Sequence, residues 1–301
     1  MTDILIRAAC FVAIIVLGAV LRRSGFFKKE DFHLLSKIVI RITLPAAIVT
    51  NFAGRELDYS LLMLILVGFL CGVVHMSTAY FVNRRRGRTA QAFAVLNGSG
   101  VNIGNFVLPF AQGFLGPAGV MAVSLFDVGN AFICLGGAYS AAGMILEKEN
   151  RFSLRPVLVS LGKSVPLLTY VIACILSILH IQLPGPVVSF AGIIGNANAF
   201  LAMLMLGVGF QADFSRVPEV VRILLPRFLT GIAMAVLCWF LLPVPAIYRP
   251  AITIPFLGPI ATAAPAFTAQ LKGDYELASA INSASILVSI ILITAVLLFI
   301  A

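Results

Sequence analysis

Apolar runs of about 20 residues, each long enough to cross the hydrocarbon core of a bilayer as a helix, recur from one end of this chain to the other. A 301-residue chain that is 60% hydrophobic and only 11% charged has too little polar side chain to clothe a soluble domain. The chain therefore reads as an all-α polytopic membrane protein. Its first run, Ile4 to Leu21, carries Asp3 and Arg7 at its start, which fit a secretory signal poorly, so it reads as a retained helix. Cutting at charged or Pro/Gly-rich breaks gives ten spans, at about 3–22, 31–52, 60–83, 89–115, 117–146, 156–180, 186–211, 221–243, 248–272 and 275–300.

Alternate connections carry the basic residues: Arg22, Arg23, Lys28 and Lys29; Arg84, Arg85, Arg86 and Arg88; Lys148, Arg151 and Arg155; Arg216, Arg222 and Arg227; and Lys272. The opposite connections carry Arg55 and Arg249. Lysine and arginine collect on the cytoplasmic side, so both termini are expected on the non-cytoplasmic face. The same distribution explains the net charge of +9 without a nucleic-acid partner and leaves the basic face to anionic lipid headgroups. Lys163 and Arg41, near span ends, are expected to snorkel, and His75 to pack inside the third span. Five singly placed cysteines show no metal-ligand or redox spacing and are expected to be small core residues.

The polar stretch "LEKENRFSLRPV" falls near the midpoint and divides the chain into residues 1–150 and 151–301, five spans each. With five crossings per half, the second half enters the membrane in the opposite sense, as an inverted repeat. Corresponding positions agree: Pro109 precedes Gly116 and, at eighteen residues, Asp127, while Pro265 precedes Gly273 and, at seventeen, Asn282. Ser124, Asp127 and Asn130 line one side of the fifth span, and Ser279, Asn282, Ser285 and Ser289 one side of the tenth.

The fourth span, "LNGSGVNIGNFVLPFAQGFLGP", clusters asparagine, glycine and proline where a plain helix needs none. The ninth does likewise in "TIPFLGPIATAAPAF", with Pro255, Pro259, Pro265 and Thr262. Proline frees backbone groups that hydrocarbon leaves unsatisfied, so such segments line a cavity or lie within protein. Both spans are expected to be broken, with half-helices beginning near Pro109 and Pro265 and the breaks crossing near the midplane. The amides and dipoles of those half-helices favour an anionic ligand. Asn102, Asn105, Asn130, Thr262 and Asn282 are the candidate substrate-binding residues. Asp127 alone among the acidic residues lies well within a span and is the candidate coupling group, for a proton or an ion. No metal site, cofactor motif, nucleotide-binding loop or catalytic grouping is visible, so an enzyme is not expected.

These stretches, with "KIVIRITLPAAIVTNFA", "LFDVGNAF" and "PAFTAQLKGDYELASAINSASILVSIILI", resemble the auxin efflux carrier family over essentially the whole chain, in its short-loop bacterial form often described as malonate or malate permeases. The resemblance implies ten helices in two inverted repeats, with helices 4 and 9 broken and crossing, similar to bile acid symporters and sodium/proton antiporters. It also implies a scaffold of helices 1, 2, 6 and 7, often dimeric, a transport domain of helices 3–5 and 8–10, and an elevator-like cycle. Asn102 matches the family's substrate-binding asparagine, with Pro109 and Pro265 as the crossing prolines. The expected function is secondary transport of a small organic anion across a bacterial inner membrane, with a proton as the coupling ion. A sodium-coupled symporter is the alternative within the class, and a membrane-embedded enzyme, channel or sensor outside it.

Overall fold

The computed structural model describes residues 2–147, 154–211 and 214–300. Lys148 and Arg151, counted above among the loop cations, lie outside them. Among the described residues the regular structure is helical apart from one isolated antiparallel bridge, between Val101 and Ile260.

Seven helices among the described residues are long and apolar enough to cross a membrane: Thr2–Arg23, Asp31–Phe52, Tyr59–Asn83, Gly116–Ile145, Gly185–Gly209, Val217–Leu241 and Tyr275–Ile300. An eighth stretch, Leu154–Gly162 with Val165–Ile178, is bent by 68°. Ser164 between its pieces is extended, and Pro166 sits in the first turn of the second, where its missing N–H costs nothing. This is a multi-pass membrane protein. Its lateral surface fits a lipid setting, with Ile193 77% and Phe240 76% exposed.

The two remaining apolar segments are interrupted. With elements numbered along the chain, α1 is Thr2–Arg23, α2 Asp31–Ile38, α3 Leu44–Phe52 and α4 Met63–Asn83. The first interrupted segment is α5, Arg88–Ser99, followed by a π turn at Ile103–Val107 and α6, Leu108–Phe114. Then come α7, Gly116–Phe132, α8, Ala138–Ile145, α9, Leu154–Gly162, α10, Val165–Ile178, α11, Gly185–Asn196, α12, Asn198–Gly209, and α13, Val217–Leu241. The second interrupted segment is α14, Arg249–Phe256, and α15, Ala264–Gln270; α16, Tyr275–Ile300, ends the fold.

Sequence reasoning placed the first break at Pro109, and the structure moves it to Gly100–Asn102. Gly100 is extended and pressed against Cys134 and Ala261, where any Cβ would clash. Pro109 instead lies in the first turn of α6, directly after the π turn. The wider turn closes through the Leu108 amide to Ile103, so the helical path continues through the proline. Pro265 does open α15, as expected.

Close helix approach organises the packing. A Cβ on Gly129 would strike the Ile65 carbonyl and one on Gly68 the Phe126 carbonyl, so α4 and α7 touch backbone to backbone. Gly18 and Gly207 do the same for α1 and α12. The broadest contacts fall in two sets: α1 with α12 and α3 with α10 and α11 in one; α4, α5, α7, α8, α13, α14, α15 and α16 in the other. Phe110 on α6 bridges the sets, 5.0 Å edge-on from Phe11 of α1.

Two sequence expectations change. Arg227 is not a loop residue: it lies ten positions into α13 and is 2% exposed. The basic excess survives without it. Among the cysteines Cys71 is buried, but Cys10 is exposed on the outer face of α1 rather than in the core. Arg41 and Lys163 are both exposed, and His75 is buried in α4.

Gly129→Ala is expected to force α4 and α7 apart and to destabilise the protein by about 1–3 kcal/mol, the usual cost of overpacking. Gly185→Ala, at a site no other atom approaches within 4 Å, is the control. Thermal melting in detergent checks both; equal melting points would contradict the close approach.

Candidate functional site

The two breaks lie against each other. The Asn102 amide donates to the Pro259 carbonyl at 2.8 Å and the Ala261 amide to Gly100 at 3.1 Å, flanking the Val101–Ile260 bridge. The unwound chains thus satisfy one another in an interior where free backbone groups are costly.

Helices packed behind each break satisfy what remains, and they do so in matching ways. Asn130 of α7 donates to the Val101 carbonyl at 2.9 Å and accepts from the Val101 amide at 3.1 Å. On the other side Asn282 of α16 donates to the Ile260 carbonyl at 2.9 Å, while Ser285 accepts from the Ile260 amide at 3.0 Å. Asn130 and Asn282 were expected to hold substrate. Their amides hold the breaks as well as bordering cavities, because each polar stripe faces an unwound backbone and a cavity at once.

A cavity of about 170 Å³ opens at the junction and is lined by Asn102, Asn105, Asp127, Asn130, Tyr170 and Thr262, among others. Three π turns contribute to its wall: Ile40 from Val39–Thr43, Asn105 from Ile103–Val107 and Cys134 from Ile133–Gly137. Such turns displace side chains from the helical register and recur at functional sites. The Asn102 side chain accepts from the Asn105 amide at 3.3 Å, leaving its Nδ2 without a partner; Asn105 donates to Thr262 at 3.2 Å, leaving its Oδ1 without one. Both asparagines are 4% exposed. A buried donor and a buried acceptor therefore stand free beside the cavity, and in native interiors such groups normally have partners.

Asp127 is half-buried at the same wall. One carboxylate oxygen accepts from Asn130 at 3.0 Å and the other from the Tyr170 hydroxyl at 3.1 Å. Tyr170 comes from α10, so this bond joins the two packing sets. A second cavity, of about 440 Å³, is lined by Lys29, Glu30, His33, Thr262, Pro265 and Asn282, among others. Thr262 lines both cavities. Pro109 lines neither and is buried within α6.

Arg227 completes the junction. Its Nη2 donates to the Gly100 carbonyl at 3.2 Å and the Pro259 carbonyl at 3.3 Å, one from each break. Sequence reasoning missed this residue by counting it with nearby loop cations. Its position directly after Pro226, well inside an apolar run, was the available signal. Tyr170 was missed too, although it is the lone tyrosine of its span.

No protein-family model and no curated protein matches this sequence. Among the described residues no group of three or more His, Cys, Asp or Glu is placed to hold a metal ion.

Asn130→Ala leaves the Val101 amide without its acceptor, while the Val101 carbonyl keeps the Ile103 amide, and is expected to cost about 2–3 kcal/mol of stability. Asn102→Ala removes only the bond to the Asn105 amide, a capping interaction worth about 1 kcal/mol. Melting curves of the two variants should therefore separate the asparagine that holds the fold from the one that faces the cavity; equal losses would contradict the assignment.

Proposed function

We propose that this protein is a secondary transporter for a small organic anion, a carboxylate or dicarboxylate, of the kind its resemblance to the auxin efflux carrier family implies. The observation that carries the reading is the antiparallel meeting of two interrupted helices beside a polar cavity where the side-chain Nδ2 of Asn102 has no partner. Interrupted helices that meet within the membrane are a recurrent way of building a transporter's substrate site. At about 30 Å³ per water the cavity has room for five or six waters, the scale of a small carboxylate.

Counting each interrupted pair and the bent pair as one crossing gives ten spans. The matching bonds of Asn130 to Val101 and of Asn282 and Ser285 to Ile260 support inverted repeats of residues 1–150 and 151–301. The two packing sets support a scaffold of spans 1, 2, 6 and 7 and a transport domain of spans 3–5 and 8–10. The smaller cavity draws its walls from both, with Leu44 and Tyr170 facing Asn102 and Asp127, as an elevator-like cycle needs. In this reading Asn102, Asn105 and Thr262 contact the anion and Asp127 carries the coupled proton. The basic loops support termini on the non-cytoplasmic face of a bacterial inner membrane, and the same reading takes the scaffold as a homodimer interface.

Proteoliposomes given labelled malonate, malate and an indole acid under imposed proton or sodium gradients test this. Saturable uptake driven by the proton gradient is expected, with Asn102→Ala slowing it about tenfold or more, the loss of one buried hydrogen bond to a charged ligand. Asp127→Asn is expected to retain uptake and lose its dependence on pH. The reading fails if none of these anions is taken up, or if both variants behave as the parent does.

A further inference from the structure

Arg227 lines neither cavity. It reaches the junction from the side of α4, α5 and α13, where it borders a void of about 10 Å³ shared with His75 and Asn83. Its guanidinium is buried and, among the described residues, no ion pair includes it. The void has room for one water at most, so no counter-anion fits behind the charge.

What faces the charge is backbone oxygen. Gly100 follows the C-terminal end of α5 and Pro259 follows that of α14, so the negative ends of two helix dipoles point at the junction. Their carbonyls converge on a single nitrogen, Nη2. Carbonyls of unwound backbone and the C-terminal ends of half-helices are the groups with which broken-helix transporters coordinate a monovalent cation. Here that convergence point is already filled by a side chain.

We infer that the Arg227 guanidinium is a tethered cation standing where a mobile alkali ion would otherwise be needed, so that the junction keeps its geometry and its positive charge without bound sodium. The inference rests on the anion-transport reading for its consequence, that transport is sodium-independent, but its physical core concerns the junction alone. Methionine at the position keeps much of the packing volume and loses the charge; lysine keeps the charge and one ammonium within reach of carbonyls.

The test is therefore made without any organic anion. Purified full-length protein is melted in choline, sodium, potassium and guanidinium chlorides at equal low-millimolar concentration and ionic strength. The parent should melt alike in all four. Arg227→Ala should melt about 5 °C or more lower in choline, with a saturable recovery in guanidinium or sodium. Arg227→Lys should stay near the parent while Arg227→Met falls, a comparison that decides the matter even where the alanine variant does not fold. Saturable stabilisation of the parent by sodium would overturn the inference, as would equal stability of the lysine and methionine variants or an alanine variant indifferent to every small cation. Absence of carboxylate uptake in proteoliposomes would sink the transport reading and leave these melting results untouched.

Discussion

Hydrocarbon offers no hydrogen-bond partner, and the rest of this structure follows from how two interrupted helices meet that constraint. Every free amide and carbonyl at a break needs a partner from protein or ligand. The chain meets the need in layers. The breaks pair with each other through Asn102 to Pro259 and Ala261 to Gly100, asparagine and serine side chains from α7 and α16 cover Val101 and Ile260, and Arg227 reaches across both. Beside the cavity the Asn102 Nδ2 and the Asn105 Oδ1 are left over, and behind the junction the Nε and Nη1 of Arg227.

That division separates polar residues whose bonds are spent on the fold from those left with a free atom beside the cavity, although both kinds carry the same side chains. Asn130 bonds Val101 on two sides and Asp127 besides. Asn102, the residue after Val101, keeps a donor free. Asp127 stands between the kinds, since its carboxylate accepts from Asn130 within one packing set and from Tyr170 in the other. In the transport reading proposed above, a group that ties the two packing sets together and also borders the cavity links ligand binding to their relative movement.

The spans and the two interruptions were legible in the sequence because apolar length and a cluster of Asn, Gly and Pro report directly on what a bilayer tolerates. The position of the first break was not. Proline is the loudest residue in "NIGNFVLPF", yet a π turn absorbs Pro109, and the chain unwinds at Gly100, where close neighbours rather than a missing amide decide the matter. Spacing along α7 and α16 showed which residues share a face, but not that an unwound carbonyl would arrive opposite Asn130 or Asn282. Arg227 was hidden for a different reason: charge tallies assign cations to loops, and only tertiary structure brings carbonyls to a cation at depth.

Thr262 lies on the wall of both cavities. Its β-branched side chain has few rotamers, and Asn105 holds its hydroxyl from the smaller chamber. One hydroxyl thus fastens the first half of the chain to a wall of the second that two cavities share, and a group that takes Asn105 for itself unfastens it.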